Sequence, residues 1–220
     1  MLTPYDLYMM EVKEAGLRDV VNNVKNKVHD AIMPPMTPEQ AEAIKGHFSD
    51  KIKGEVQYHH IDKTMGAHAF RAADVTPGSK AEQYLMAKGV QDPAGKHHVF
   101  ANLERSPGVL AHELGHLSAA ETRLSKVQTP LRKGQALTSA LIQKFPAAIP
   151  LHVAASAPIL AEEARASWRG LKAVKATMGR AAAARSAPLL AAGFASYAVG
   201  SALPVLSAKM VKSLKSVPKL

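Results

Sequence analysis

The sequence predicts a mainly α-helical fold with a small β-sheet, that is, an α+β protein. Helix-start signals recur along the chain, only two short segments are rich in β-forming residues, and two long uncharged segments occupy much of the second half. With 220 residues, of which 47% are hydrophobic, the chain is long enough for one domain, or for a small domain with an appendage.

The first half of the chain contains the predicted N-terminal helices and the sheet. Thr3-Pro4 is an N-cap residue followed by a proline at the first helical position, which is a helix-start signal. Thr37 and Gln40 have the spacing of a capping box, in which each side chain bonds the backbone N–H of the other residue. Helices are predicted over residues 3–32, 37–53 and 76–88, and strands over residues 55–61 and 97–102.

A helix predicted over about residues 107–127 carries the sequence His112-Glu113-Leu114-Gly115-His116. Residues four apart lie on one face of a helix, so His112 and His116 can each point a ring nitrogen at the same metal ion. Zinc lowers the pKa of a bound water, and Glu113 is placed to accept its proton as a general base. Gly115 keeps the helix slim where a substrate or a packing partner approaches. Because the chain has no cysteine, any metal must be held by histidine and carboxylate.

A zinc site of this kind needs a third protein ligand, and several residues are candidates. No histidine stands six residues after His116, the spacing of the metzincins. Glu121 lies about 140° round the helix from His116, which favours a surface charge. His152 lies in an apolar, proline-containing stretch and is interpreted as a core histidine whose hydrogen bonds are satisfied. Glu162 and Glu163 remain, on a second predicted helix.

Residues 163–167, with the sequence Glu-Ala-Arg-Ala-Ser, fit the motif E-x-x-A-[D/S]. Together with H-E-x-x-H upstream, this motif resembles the gluzincin zinc metallopeptidases, which include the membrane-associated neutral zinc metallopeptidases and the CAAX-prenyl-protease-like families. The resemblance covers roughly residues 107–172, about a third of the chain. It implies a minimal gluzincin-like core, followed here by C-terminal apolar helices.

The resemblance also implies roles for individual residues. The expected ligands of Zn²⁺ are His112, His116 and Glu163, with Glu113 as the general base that acts on a zinc-activated water. Ser167 would lie one helical turn beyond Glu163 and form a hydrogen bond to a ligand. Arg169 is considered either as an electrophile or as a structural arginine. In gluzincins an edge strand before the metal helix pairs with the extended substrate, and residues 97–102 are placed to be that strand.

The second half of the chain is basic. Residues 111–220 contain 15 Lys and Arg but only four acidic residues, whereas residues 1–110 contain 13 Lys and Arg and 14 acidic residues. This imbalance favours an anionic membrane surface or an assembly partner, or it marks a solvated basic face. Uncharged segments cover residues 145–161 and 186–208, and the second of these either associates with a membrane or packs against protein. The sequence shows no specific nucleic-acid signature and no signal peptide.

These features predict two parts and leave two functions open. The first part is a zincin-like domain over residues 1–178. It contains N-terminal helices and a short sheet in residues 1–105, followed by metal helices at about 107–127 and 160–178. The second part is an apolar helical segment with a basic tail over residues 179–220. We expect a cytoplasmic or membrane-associated protein, or part of an assembly such as a virion. It is either a zinc metallopeptidase acting on a protein or peptide, or a structural or interaction component of a virion or secretion apparatus that retains a zincin fold. The intact Glu113 favours the peptidase.

Overall fold

The computed structural model describes residues 36–61, 67–104, 106–119, 134–142 and 144–215, with side chains up to residue 207. These residues confirm the predicted α+β class, since most of them are helical and a three-stranded sheet lies beside the helices. The predicted helix over residues 3–32 lies outside the described residues. So do Glu121 and the side chains of the basic tail.

Helix α1 (Pro38–Ser49) confirms the helix predicted from the Thr37 capping box. The Thr37 hydroxyl accepts a hydrogen bond from the backbone N–H of Gln40, and the Gln40 side chain accepts one from the backbone N–H of Thr37. Such a cap stabilises a helix by about 1 kcal/mol. The helix ends at Ser49 rather than near residue 53, because the chain turns there and buries Ile52 in the core.

The sheet contains strands β1 (Val56–His60), β2 (His68–Phe70) and β3 (His97–Ala101) in the order β1-β3-β2. Strand β3 is parallel to β1 and antiparallel to β2. The prediction that residues 97–102 form an edge strand is therefore wrong, because β3 is central and all five of its residues are buried. Its run of apolar and histidine residues, without polar alternation, is typical of a strand that is covered on both faces.

Helix α2 (Lys80–Ala87) covers one face of the sheet. It begins at Ser79, whose hydroxyl accepts a hydrogen bond from the backbone N–H of Glu82. Leu85 is fully buried against Phe100 of β3. Because successive strand residues point to opposite faces, Val99 of β3 packs on the other side, in the main core of the protein.

Helix α3 (Pro107–Leu117) carries the His112-Glu113-Leu114-Gly115-His116 sequence and packs in the main core through Leu110, Leu114 and Leu117. It ends at Leu117, well before the predicted end near residue 127. The hydroxyl of Ser118 donates a hydrogen bond to the carbonyl of Gly115 at this end. Serine competes for backbone hydrogen bonds in this way, which favours helix ends over helix interiors.

Helix α4 (Ile149–Lys215) contains the predicted metal helix but begins much earlier than residue 160. Pro150 stands in its first turn, where a proline costs no hydrogen bond. Gly179 has φ 86° and ψ 174°, which is non-helical and divides α4 into two arms. We call residues 149–178 arm A and residues 180–215 arm B.

The two arms lie antiparallel. His152 of arm A bonds the carbonyl of Ser201 of arm B at 2.8 Å, although a straight helix would separate these residues by roughly 70 Å. Near the bend, Ala182 of arm B is buried in the same cluster as Val174 of arm A and Leu110 of α3. Arm B is therefore part of the main core close to Gly179, and the division into domains at residue 178 stays a prediction.

Candidate metal centre

Three side chains on two helices converge on one point. His112 and His116 lie on α3, and Glu163 lies on arm A. The Nε2 atoms of the two histidines are 3.1 Å apart. The Oε2 atom of Glu163 lies 3.4 Å from Nε2 of His112 and 3.3 Å from Nε2 of His116. The structure thus brings together the three residues that the motifs named as ligands.

The triangle of these three atoms has the size that a tetrahedral zinc site requires. Zinc forms bonds of about 2.0–2.2 Å to histidine nitrogen and carboxylate oxygen, which places neighbouring tetrahedral ligands roughly 3.3 Å apart. The three observed distances lie close to this value. Among the described residues no fourth histidine or carboxylate joins the group, and these three ligands would fill three of the four positions of a tetrahedral zinc ion.

Ser167 orients one of the histidines. Its hydroxyl oxygen lies 3.1 Å from Nδ1 of His112, one helical turn beyond Glu163 on arm A. When Nδ1–H donates to this hydroxyl, Nε2 keeps its lone pair and faces the shared point. This is the contact that the second motif predicts for Ser167. Its role in metal binding remains a prediction.

The polar groups of the centre shift the pKa values of one another. Burial raises the pKa of Glu163, but the hydrogen bonds and charges of His112 and His116 outweigh this effect and lower the pKa to about 2. Burial lowers the pKa of His116, yet the hydrogen bond to Glu163 and the charges of Glu113, Glu163 and Glu162 raise it overall. The negative charge of the carboxylates therefore attracts a positive charge to this point.

Glu113 lies beside this triangle without being part of it. Its side chain is only 7% exposed, and its charge acts on His116. Among the described residues, no donor forms a hydrogen bond or ion pair with its carboxylate. A buried carboxylate of this kind is suited to accepting a proton from a molecule bound in the adjacent open position.

Two glycines allow the ligand-bearing helices to approach closely. A Cβ atom on Gly115 of α3 would lie 2.7 Å from the carbonyl oxygen of Ala166 on arm A. A Cβ atom on Gly170 of arm A would lie 2.9 Å from the backbone nitrogen of His112. Both distances are too short for any side chain. Gly115 was predicted from the sequence to keep its helix slim, whereas Gly170 was not singled out; its signal is a glycine inside an otherwise helical segment.

Arg169 and Glu162 also stabilise the crossing of α3 and arm A. Arg169 Nη1 donates hydrogen bonds to Glu162 Oε1 at 3.0 Å and to the carbonyl of Gly115 at 3.2 Å. The side chain of Glu162 is therefore directed to the arginine, whereas that of Glu163 is directed to the histidines. This geometry favours a structural arginine over an electrophile, and it separates the two glutamates that spacing alone left open.

His152 does not take part in this centre. It is 1% exposed, and its Nε2–H donates to the Ser201 carbonyl while its Nδ1 lies 3.1 Å from the hydroxyl of Thr138. Both ring nitrogens are thus satisfied by protein groups, which confirms the prediction of a core histidine.

Comparison with known proteins found no relative of this chain. No family model matches the chain, and neither does any curated protein or solved structure. The resemblance to gluzincins therefore rests on two short motifs, and the convergence of His112, His116 and Glu163 is the observation from which a function can be argued.

Proposed function

We infer that this protein is a zinc-dependent metallopeptidase. The observation that carries the proposal is the convergence of three ligand atoms beside a buried glutamate, Glu113, with no fourth protein ligand among the described residues. A purely structural zinc site is closed by four protein ligands and has no use for a base at its side. The intact Glu113 therefore supports catalysis over the alternative of a structural component of an assembly.

His112, His116 and Glu163 would hold the zinc ion. When bound, zinc supplies a Lewis acid that polarises a peptide carbonyl and makes a water molecule more acidic. Glu113 would accept a proton from that water and deliver it to the leaving amine, a task for which a buried carboxylate beside the metal is suited. Ser167 would keep the His112 ring in the required tautomer.

The edge strand β2 is the part of the sheet that we assign to the substrate. It packs next to α3, whereas the central strand β3 has both of its edges occupied. An extended peptide could add to the outer edge of β2 by backbone hydrogen bonds, which would carry its peptide bonds past the metal helix. This assignment replaces the one predicted for residues 97–102.

The decisive test is the Glu113→Gln variant, assayed for hydrolysis of an unfolded protein such as casein. Glutamine keeps the shape of the side chain but cannot accept the proton, so we expect the rate to fall by about 10²–10⁴-fold. Zinc content, measured by mass spectrometry, should stay near one ion per chain.

Glu162→Gln is the matched control. Glu162 is also buried, but its amide replacement can still accept the hydrogen bond from Arg169. Because Glu162 is neither one of the three converging ligands nor the proposed base, we expect this variant to lose far less activity than Glu113→Gln. Equal rates for wild type and Glu113→Gln would remove the proposed mechanism, and a zinc-loaded but inactive wild type would favour the structural alternative.

A further inference from the structure

The open end of the helical hairpin buries several polar side chains and exposes apolar ones. We call this region the three-helix end: helical residues 134–142, residues 149–161 of arm A and residues 192–207 of arm B. Half of its buried side chains are polar: His152, Ser156 and Thr138 are at most 4% exposed, beside the apolar Ile142, Ile159 and Leu203. In a helical bundle that is surrounded by water, the interior is apolar and the exterior is polar.

The exterior of the three-helix end is apolar. Of the eight large hydrophobic residues with high exposure in the described part of the chain, six lie here or at its connecting turn. They are Leu137 (63%), Phe145 (62%), Leu151 (59%), Val153 (54%), Tyr197 (45%) and Leu206 (54%). Only Met86 and Trp168 lie elsewhere. A soluble protein rarely exposes so many large apolar side chains in one region.

The polar groups inside this end satisfy one another. His152 bonds Ser201 and Thr138, and Gln135 donates to the hydroxyls of Ser156 at 3.0 Å and Ser201 at 3.1 Å. These hydrogen bonds link all three helices. Hydrocarbon offers no water to polar groups, so helices inside a membrane must bond their polar side chains to each other in this way.

The length of the uncharged region matches a bilayer. Residues 145–161 contain no charged side chain and extend about 25 Å as a helix, against a hydrocarbon layer of about 30 Å. By length and composition alone, the described helical stretch Pro146–Ser207 is apolar enough to cross a membrane. Only 17% of its most apolar window is buried within the protein, unlike a core helix of a soluble domain.

Positive charges mark both ends of this region. Lys144 precedes the uncharged residues of arm A, and Lys209 follows those of arm B. At the opposite end, Arg180 and Arg185 stand near the bend, where the second uncharged segment begins. Cations at these boundaries suit the phosphate groups of anionic lipids, whereas a protein partner would not require charge-free helix faces of this length.

We propose that the three-helix end is embedded in a lipid bilayer and that the metal centre lies at the membrane surface. Glu163 lies two positions beyond residue 161, the end of the first uncharged segment, which is about 3 Å along the helix. Its partners His112 and His116 contact it at the same level, so the proposal places the metal centre at the boundary between lipid and water. This placement does not depend on whether the centre is catalytic.

The test compares two lysine substitutions in the full-length chain. Val153 lies midway along residues 145–161 and is 54% exposed, whereas Met86 is 60% exposed on α2, away from the three-helix end. In water neither Val153→Lys nor Met86→Lys disturbs a buried contact. In a bilayer, Val153→Lys places a charge in hydrocarbon, and we expect the fraction that floats with vesicles of phosphatidylcholine and phosphatidylglycerol to fall at least about tenfold. Met86→Lys should float like the wild type.

Trp168 provides a second measurement, because it is the only tryptophan in the chain and is 60% exposed. It lies seven residues beyond residue 161, about 10 Å along arm A, at the expected level of the lipid head groups. On addition of vesicles its emission should shift to shorter wavelength. Lipids brominated close to the head group should quench it more than lipids brominated near the chain ends.

Three results would overturn the proposal. The first is a wild type that stays out of the floating fraction, and the second is equal flotation of Val153→Lys and the wild type. The third is a combination of results: the wild type forms a concentration-dependent oligomer in detergent-free buffer, the Val153→Lys variant is monomeric there, and neither protein binds vesicles. That last result would assign the apolar surface to a second copy of the chain. Zinc content and peptidase activity, measured on the same samples, separate a failure of membrane insertion from a failure of the metal centre.

Discussion

Arm A takes part in two polar clusters that contain histidine, and the clusters differ in where the ring nitrogens point. In the metal centre, Nε2 of His112 and Nε2 of His116 approach each other and one carboxylate oxygen of Glu163. In the three-helix end, the two ring nitrogens of His152 form hydrogen bonds in different directions, one with the Ser201 carbonyl and one with the Thr138 hydroxyl. Convergence of two ring nitrogens on one carboxylate oxygen therefore distinguishes the candidate ligands from a structural histidine.

The helix contacts around the two clusters also differ. The metal centre lies where Gly115 and Gly170 let two backbones touch, so the ligands are carried on a crossing that cannot widen without breaking contacts. Around His152, hydrogen bonds between side chains and to a backbone carbonyl connect the helices instead. A rigid crossing holds ligands at fixed distances, whereas a network of hydrogen bonds fixes the register of the helices.

His116 and His152 are expected to serve different purposes, metal binding and packing. We expect His116→Ala to lower zinc affinity by more than about a hundredfold, since even an outer contact of a metal site contributes 10–100-fold. His152→Ala should leave zinc affinity unchanged but lower the free energy of unfolding by about 1–3 kcal/mol, because the Ser201 carbonyl loses its partner. Isothermal titration with zinc and thermal unfolding in mild detergent measure the two effects. A similar loss of zinc affinity in both variants would contradict the assignment of ligands.

A wider crossing of α3 and arm A should lower both the stability of the fold and the affinity for zinc. Gly115→Ala forces a Cβ atom against the Ala166 carbonyl, so we expect a loss of about 1–3 kcal/mol in unfolding free energy and weaker zinc binding. The same change at Gly46 of α1, where a Cβ atom meets nothing, should raise the unfolding free energy by about 0.5–1 kcal/mol. If the two variants unfolded at the same temperature, the close approach of the helices would not matter.

The smallest effect is expected at the hydroxyl beside His112. Ser167→Ala removes the hydrogen bond at Nδ1 without touching the other ligands, so zinc affinity should fall about tenfold while the fold is retained. Competition with a chelator of known affinity measures the change. Unchanged affinity would show that the crossing of the helices alone orients the His112 ring.

Local features of the fold were predictable from the sequence, whereas the order of strands in space was not. The capping box at Thr37 and the proline in the first turn of α3 mark helix starts through contacts between near neighbours. Strand β2 has only three residues and left no periodic signal, so the central position of β3 was missed. Pairing between strands depends on contacts far apart in sequence, which local patterns do not report.

The convergence of His112, His116 and Glu163 was predictable because helical spacing and two motifs place these residues. Spacing alone left the adjacent Glu162 and Glu163 both open, and the second motif selected Glu163. In the structure, Glu162 contacts Arg169 whereas Glu163 contacts the histidines. The close approach at Gly170 and the reversal of the chain at Gly179 depend on how the helices cross. A helical pattern that continues through a glycine does not reveal such a reversal.

The contact between Arg169 and Glu162 also sets the charge of the metal centre. Among the described residues of this crossing, the formal negative charges are those of Glu113, Glu162 and Glu163 and the formal positive charge is that of Arg169, which gives −3 + 1 = −2. A divalent cation balances this formal charge, whereas a monovalent ion would leave it negative and a trivalent ion would make it positive. Uncompensated charge in a buried site costs several kcal/mol. Charge balance among these side chains therefore adds to ligand geometry in favouring a doubly charged ion. Although burial lowers the pKa of His116, the hydrogen bond to Glu163 and the charges of the same carboxylates raise it overall.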